Sequence, residues 1–414
     1  MKKVIIIGAG FAGINLVKKL QKDKEFEIIL VDKHNYHTFQ PLLYQVATGG
    51  LEPSNIAYPI RRILRHSRTK FIMGEVSEIK TSENKIIVND EELDFNYLVI
   101  ATGSTNNFFN FVEESKNFLS LKSVSEALDI RSQILQNFED INLKESKSDT
   151  PINFVIIGAG PAGVEVAGAL SEMRNKVLPK DFPEFDFKRM NILLFEAQSK
   201  VLSSMSEKSS KYGLKYLNDL NVKVTLNAKV TEIKAHKLSL LTGELFDYTT
   251  IIWTAGVKGN CPNGLENAVQ ANGRILVNEF NQLFDFPNIF VIGDLAMQSS
   301  KKFERGLPML AQVAIQQGRN TANNLLNLKL AKPLIPFKYK DKGSMATIGR
   351  NKAVVDLPYF GFQGAFAWFV WMFIHLIALI GFRNKIITLL NWVINYFSYD
   401  RPLGAIIRKR EIRN

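Results

Sequence analysis

Two stretches decide the reading of this chain: VIIIGAGFAG at Val4–Gly13 and VIIGAGPAG at Val155–Gly163. Each is a short β-branched run that stops at Gly-x-Gly-x-x-Gly. The pattern is a strand, a tight turn and a helix start, which together seat a dinucleotide pyrophosphate. The first glycine (Gly8, Gly158) makes the turn. The second (Gly10, Gly160) lets backbone N–H groups approach the phosphates, and the third (Gly13, Gly163) lets the helix pack on the strand. The helix N-terminus adds partial positive charge. Two seats imply two nucleotides, and the natural pair is a flavin dinucleotide and a nicotinamide dinucleotide exchanging electrons.

Each fingerprint has an acid downstream. Asp32 ends the strand Glu27–Val31, 19 residues after Gly13, where a carboxylate can accept both hydrogen bonds of a ribose diol. Glu196 ends the strand Asn191–Phe195, 33 residues after Gly163, against the usual ~20. An extended helix and a loop at Asn175–Lys188 are expected to absorb the excess. Glu196 repels a 2′-phosphate, so NADH is favoured over NADPH.

The chain has 414 residues, enough for two or three domains. A hydrophobic fraction of 46% with 22% charged residues argues for globular structure. The single cysteine, Cys261, excludes an internal disulfide, a redox dithiol and any cysteine-based metal site. His34 and His37 are close, but no third ligand joins them, so they read as loop histidines and no metal is expected. The net charge is +12. Seven basic residues stand against two acidic ones from Gly381 to Asn414, beside an apolar segment. That placement points to an anionic membrane surface rather than nucleic acid. Met1-Lys2-Lys3 before VIIIGAGFAG mimics a secretory signal. Cleavage there would destroy the first fingerprint, so a mature N-terminus and a cytosolic body are expected.

The pattern predicts strands at Lys3–Ile7, Tyr97–Ala101, Phe154–Ile157, Val222–Leu226, Thr250–Trp253 and Asn288–Ile292. Helices are expected at Ala12–Gln21, near Pro161, and from about Pro308 to Leu328. Asp140–Thr150 reads as a linker and Lys338–Gly349 as strand-like.

Glu165 stands two residues past Gly163. A helix-dipole role satisfies it, whereas a place beside a nicotinamide–flavin junction would let it handle a proton. Gln312 and Gln316 share one helix face. They form either a solvated stripe or, among Ala311, Val313, Ala314 and Ile315, amides in need of a partner such as a quinone carbonyl. FAWFVWMFIHLIALIGF (Phe366–Phe382) would span ~25 Å as a helix, short of the ~30 Å bilayer core. In the next segment Lys385, Thr388, Asn391 and Asn395 recur every three or four residues among apolar ones, giving an amphipathic helix. The pair reads as monotopic, lying in one leaflet; a buried hairpin or dimer interface is the competing reading.

Together these residues resemble type II NADH:quinone oxidoreductases, within the two-dinucleotide flavoprotein group. The likeness runs through HNYHTFQPLLYQVATGGLEP (His34–Pro53), AQVAIQQG (Ala311–Gly318), KGSMATIGRNKAVVDL (Lys342–Leu357) and GFRNKIITLLNWVINYFSYDR (Gly381–Arg401). It implies an α/β fold with two Rossmann-like, glutathione-reductase-like domains and a C-terminal membrane-associating helical segment. It implies an FAD domain over 1–115 and 275–330, an NADH domain over 116–274 and a C-terminal domain over 331–414. FAD would contact Gly8, Gly10, Phe11, Ala12, Gly13, Asp32, Lys33, Thr48, Val76, Ala101, Thr102, Gly103, Gly293, Asp294, Ala311 and Gln312. NADH would contact Gly158, Gly160, Gly163, Glu165, Glu196, Ala255 and Gly256. Glu165, Gln312, Gln316 and Thr48 would carry the chemistry. A departure is Ala169, where relatives commonly carry glutamate.

The resemblance further implies hydride transfer from NADH to FAD, two-electron reduction of a membrane quinone without proton pumping, and a homodimer on the cytoplasmic side of the cell membrane. A soluble NAD(P)H:acceptor flavin reductase is the alternative. An NADH-binding signalling flavoprotein is a rival of another class. A sulfide:quinone oxidoreductase needs paired cysteines, which are missing.

Overall fold

The computed structural model describes residues 1–143, 151–300, 303–399 and 405–406. Its chain falls into two compact units. One comprises Met1–Thr38, Tyr58–Asn106 and Val257–Asp341; the other comprises Phe39–Ala57, Asn107–Gly256 and Lys342–Asn414.

The first unit is built on a five-stranded parallel sheet. Its order is Ile289–Val291, Tyr97–Ile100, Lys2–Ile7, Phe26–Asp32, Lys70–Met73. The central strand is apolar and buried from Val4 to Ile7, as a parallel strand covered on both faces must be. Ile5, Ile7, Ile29, Val31, Leu98, Ile100, Ile289 and Val291 share one core. A three-stranded antiparallel sheet, Val76–Lys80, Lys85–Val88 and Glu91–Asp94, completes the unit's larger elements with the helix Ala311–Lys329.

The second unit repeats this plan. Its parallel sheet runs Leu119–Ser120, Thr250–Trp253, Ile152–Ile157, Met190–Phe195, Lys223–Thr225. Its antiparallel appendage is Val230–Lys234, Lys237–Leu240 and Leu245–Asp247. Both appendages carry a register irregularity at the same place in the first strand, Val76/Glu78 and Val230/Glu232. The doubled glycine motif is therefore part of a doubled fold. The second unit then adds a sheet of Ser344–Thr347, Ala353–Asp356 and Gly361–Gln363 and two helices, Ala365–Ala378 and Phe382–Ser398.

Several expectations need correction. The linker placed at Asp140–Thr150 begins inside a helix that runs Val124–Leu143, and its remainder lies outside the described residues. Asn175–Lys188 is not simply helix and loop: a π-turn at Met173–Val177 leads into a short helix, Leu178–Asp181, and a 3-10 turn at Phe187–Arg189. Beneath the π-turn, Arg174 is buried and donates to the carbonyl of Leu220 at 2.9 Å. Only Ser344–Thr347 of Lys338–Gly349 is strand. The apolar run Phe366–Phe382 is not one helix; the first helix ends at Ala378, where Leu379 turns extended, and Gly381, at φ +88°, leads into the last one. Arg401, Arg408, Lys409, Arg410 and Arg413 lie outside the described residues.

Candidate active site

At the first turn, Gly8 has φ +103°, and a Cβ there would lie 2.3 Å from the carbonyl oxygen of Ala101. The fold itself demands this glycine. Gly10 is different. Its φ of −72° is open to any residue, and a Cβ would meet no protein atom within 4 Å. Nothing inside the chain explains its missing side chain, whereas a group docking on the backbone from outside does. No side chain caps the helix Phe11–Leu20 that begins here, so its first N–H groups point at that same space. The cradle fits a dinucleotide pyrophosphate.

Asp32 braces the turn. It accepts the Ala9 N–H at 2.6 Å and the His34 N–H at 2.8 Å. Below it, His37 is no loop histidine: it is buried in the strand Tyr36–Thr38, with Nδ1 2.8 Å from the Ala9 carbonyl. Burial lowers its pKa, so the ring is neutral and Nδ1 donates. Phe11 meets the His37 ring edge-on at 5.3 Å. In the same unit Thr102 donates to the Asn260 carbonyl at 2.6 Å, and Ser104 donates to Asp294 at 2.5 Å. Lys33 is exposed, and Val76 is half-buried against the unit's core.

The second turn copies the first. Gly158 has φ +101°, with Ala255 2.6 Å from where a Cβ would sit, and Gly160 again faces open space. The helix Pro161–Glu172 has no side-chain cap. Glu196 accepts the Ala159 N–H at 2.7 Å and the Gln198 N–H at 2.9 Å, as Asp32 does in its own unit. The longer spacing to Glu196 has not moved the acid from its post.

Glu165 is half-buried on that helix and accepts the backbone N–H of Thr347. Desolvation outweighs this bond and pushes its carboxyl up to about 8. A simple helix-dipole role would lower the pKa, so the structure favours a group able to hold or release a proton near neutral pH.

A small cleft, partly open to solvent, lies further along the same helix. Ala169, Glu172, Thr48, Tyr44 and Arg350 line it, together with Trp368, Trp371 and Trp392. Thr48 is buried and donates to the Tyr44 carbonyl at 2.9 Å. Ala169 makes one stretch of the cleft's wall small and uncharged. Beside the cleft, His375 stacks on Trp371 at 4.0 Å and donates through Nδ1 to the Trp371 carbonyl. Burial holds its pKa down to about 4.

The glutamine helix begins at Ala311 rather than Pro308. Gln316 exchanges two hydrogen bonds with the backbone of Lys340, at 2.9 and 3.0 Å. These bonds orient the amide and leave its second N–H uncommitted to Lys340. The buried amide is Gln317, which accepts the Gly293 N–H at 2.7 Å. Ala311 and Gln312 sit half-buried at the helix start.

The last helix is inside out. Asn384, Thr388 and Trp392 face the protein. Asn384 donates to the carbonyls of Ser54 and Asn55 at 2.9 and 3.0 Å, Trp392 to Gln45 at 2.7 Å, and Asn395 to Gly50 at 2.9 Å. Phe382, Ile386, Leu390, Val393, Ile394 and Phe397 face outward. Phe366, Phe369, Phe373 and Ile377 do the same on the preceding helix. Arg350 closes the last helix, donating to the carbonyls of Asn395 and Tyr396 at 2.6 and 2.7 Å. Its own backbone N–H bonds Glu172, at the end of the second glycine helix.

The pyridine nucleotide-disulphide oxidoreductase family model matches residues 2–318, and the NDH2 C-terminal domain model matches 342–399. The type II NADH:quinone oxidoreductase Ndh of Mycobacterium tuberculosis is 33% identical over 96% of this chain and 89% of its own. The chain belongs to the type II NADH:quinone oxidoreductase family. The Staphylococcus aureus member is 30% identical over 88% of this chain and 92% of its own. In fold, the chain matches NDH2 from Plasmodium falciparum with a TM-score of 0.88, at 22% identity and covering 97% and 99% of the two chains. Despite the family model's description, dithiol chemistry is absent here. Cys261 is alone, half-buried, donates to the Pro262 carbonyl at 3.2 Å, and has its pKa raised to about 11.

Sequence reasoning missed Gln317, Arg350 and Trp392, took His37 for a loop histidine, and read Trp368 and Trp371 only as part of the interfacial apolar run. A buried polar residue among apolar neighbours was the available signal for Gln317. Arg350 gave none, because its partners are backbone atoms.

Proposed function

We propose that this chain oxidises NADH and reduces a membrane quinone through FAD, without pumping protons. The observation that carries this reading is the pair of turns built alike, each with a glycine that only an outside ligand explains. FAD is assigned to the first turn and NADH to the second, with 1–115 and 275–330, 116–274, and 331–414 as the FAD, NADH and C-terminal domains. Gly8, Gly10, Gly13, Asp32 and the Thr102 and Asp294 segments would hold FAD, and Gly158, Gly160, Gly163 and Glu196 would hold NADH. FAD, when bound, would supply the capacity to accept a hydride and release two electrons. The protein's own residues position and protonate. Glu165, neutral below about pH 8, holds a proton that a reduced quinone needs. Thr48, Gln312 and Gln316 remain candidates for orienting the acceptor.

The outward apolar rows support a monotopic seat on the membrane. No helix among the described residues is long and apolar enough to cross it. A homodimer on the cytoplasmic face is proposed from the family resemblance. The test is the visible spectrum of the purified protein. Flavin bands should bleach on adding NADH and return on adding quinone. A colourless preparation that refuses added FAD overturns the reading.

A further inference from the structure

The strands Ala353–Asp356 and Gly361–Gln363 are joined by a turn, Leu357–Phe360, closed by the Leu357 N–H on the Phe360 carbonyl at 2.9 Å. Turns favour Gly, Asn, Asp, Ser and Pro, yet after Pro358 this one presents Tyr359 and Phe360. Tyr359 is 97% exposed and Phe360 62%. Neither contributes much burial to the fold, so their chemistry needs another reason.

The rings continue along the surface. Phe360 stacks on Phe362 at 6.0 Å, and Phe362 meets Phe366 at 5.2 Å. Phe366 begins the outward row of its helix, followed by Phe369 and Phe373. The turn is thus the near end of one aromatic strip that runs onto the apolar helix. It is also rigidly held. Phe362 packs against the core of Val355 and Ala367. At the foot of the hairpin, Asp356 accepts from the Ser206 N–H at 2.7 Å and from the hydroxyls of Ser206 and Ser209 at 2.8 Å.

We propose that the Leu357–Phe360 turn is a third lipid-contacting element, seating Tyr359 and Phe360 in the headgroup layer of an anionic bilayer. This rests on the monotopic reading above. Aromatic side chains with a polar tip belong at the membrane–water boundary. An apolar surface this continuous is not left to water in a soluble monomer. The basic excess from Gly381 onward supplies the charge complementary to anionic lipid.

The experiment uses the full FAD-loaded chain in a Cys261→Ser background, with an environment-sensitive fluorophore on Tyr359→Cys or on Phe373→Cys. The probe is phosphatidylcholine vesicles containing phosphatidylglycerol. Both labels should shift to the blue and be quenched by lipid-borne quenchers. Separately, a Tyr359→Ser/Phe360→Ser double variant should partition into vesicles about tenfold less than the parent, with NADH oxidation by a water-soluble acceptor unchanged. A shift at Phe373→Cys with none at Tyr359→Cys overturns the proposal and spares the membrane reading. No shift at either site, with the parent chain left in the supernatant, overturns both. A shift at Tyr359→Cys that follows protein concentration without vesicles means that a second copy covers the turn, and also overturns it.

Discussion

The Glu165 carboxyl accepts the Thr347 backbone N–H, so the second glycine helix and the C-terminal sheet meet at an ionisable group. Its pKa is raised to about 8 from 4.5. Protonation is therefore favoured in the folded state. The stability this confers is full below about pH 4.5 and is lost as the pH climbs through about 8. We expect kcat for quinone reduction to show an ionisation near pH 8. In Glu165→Gln that ionisation should vanish and kcat should fall by about 10²-fold or more, with the NADH Kd little changed. A pH–rate series on both proteins checks this.

Gly10→Ala and Gly160→Ala should separate the two cradles. Neither new methyl meets protein, so thermal stability of the apo chain should hold. Gly10→Ala should lose flavin, read as the absorbance ratio after purification. Gly160→Ala should keep its flavin and raise the KM for NADH by about tenfold or more, the cost of ~1.4 kcal/mol of lost contact.

Glu196→Ser removes the charge that opposes a 2′-phosphate. The ratio of kcat/KM for NADPH over NADH should rise by about tenfold. The Ala159 and Gln198 N–H groups lose their acceptor at the same time, so NADH efficiency itself should also drop. Paired steady-state kinetics give both numbers.

The inside-out helix predicts opposite outcomes from its two faces. Asn384→Ala removes the donor from the Ser54 carbonyl and from the buried Asn55 carbonyl and should cost about 1–3 kcal/mol, seen as a lower denaturation midpoint. Leu390→Glu points outward and should change stability by less than about 0.5 kcal/mol. It should nevertheless shift the chain from vesicle pellet to supernatant.

The fold was legible because glycine turns and buried strands are local signals. Val4–Gly13 and Val155–Gly163 contain the whole instruction for a strand, a turn and an uncapped helix. The acids were legible as residue types, but their observed hydrogen bonds run to Ala9 and Ala159, a bracing job that spacing does not reveal. The last helix was legible as amphipathic, and its direction was not. A row of Thr388, Asn391 and Asn395 ordinarily faces water. Here carbonyls from Gly50, Ser54 and Asn55, far away in sequence, draw the amides inward. Gln316 and Gln317 differ in fate for the same reason. Helical period places both near one edge, and only tertiary partners decide which is buried.

Cys261 sets a chemical temperament for the whole chain. With its pKa near 11, about one thiol in ten thousand is ionised at pH 7. Peroxide and alkylating agents, which silence flavoproteins that cycle through dithiols, find almost no nucleophile to attack. Chemistry that needs a cycling thiolate has no foothold in this polypeptide.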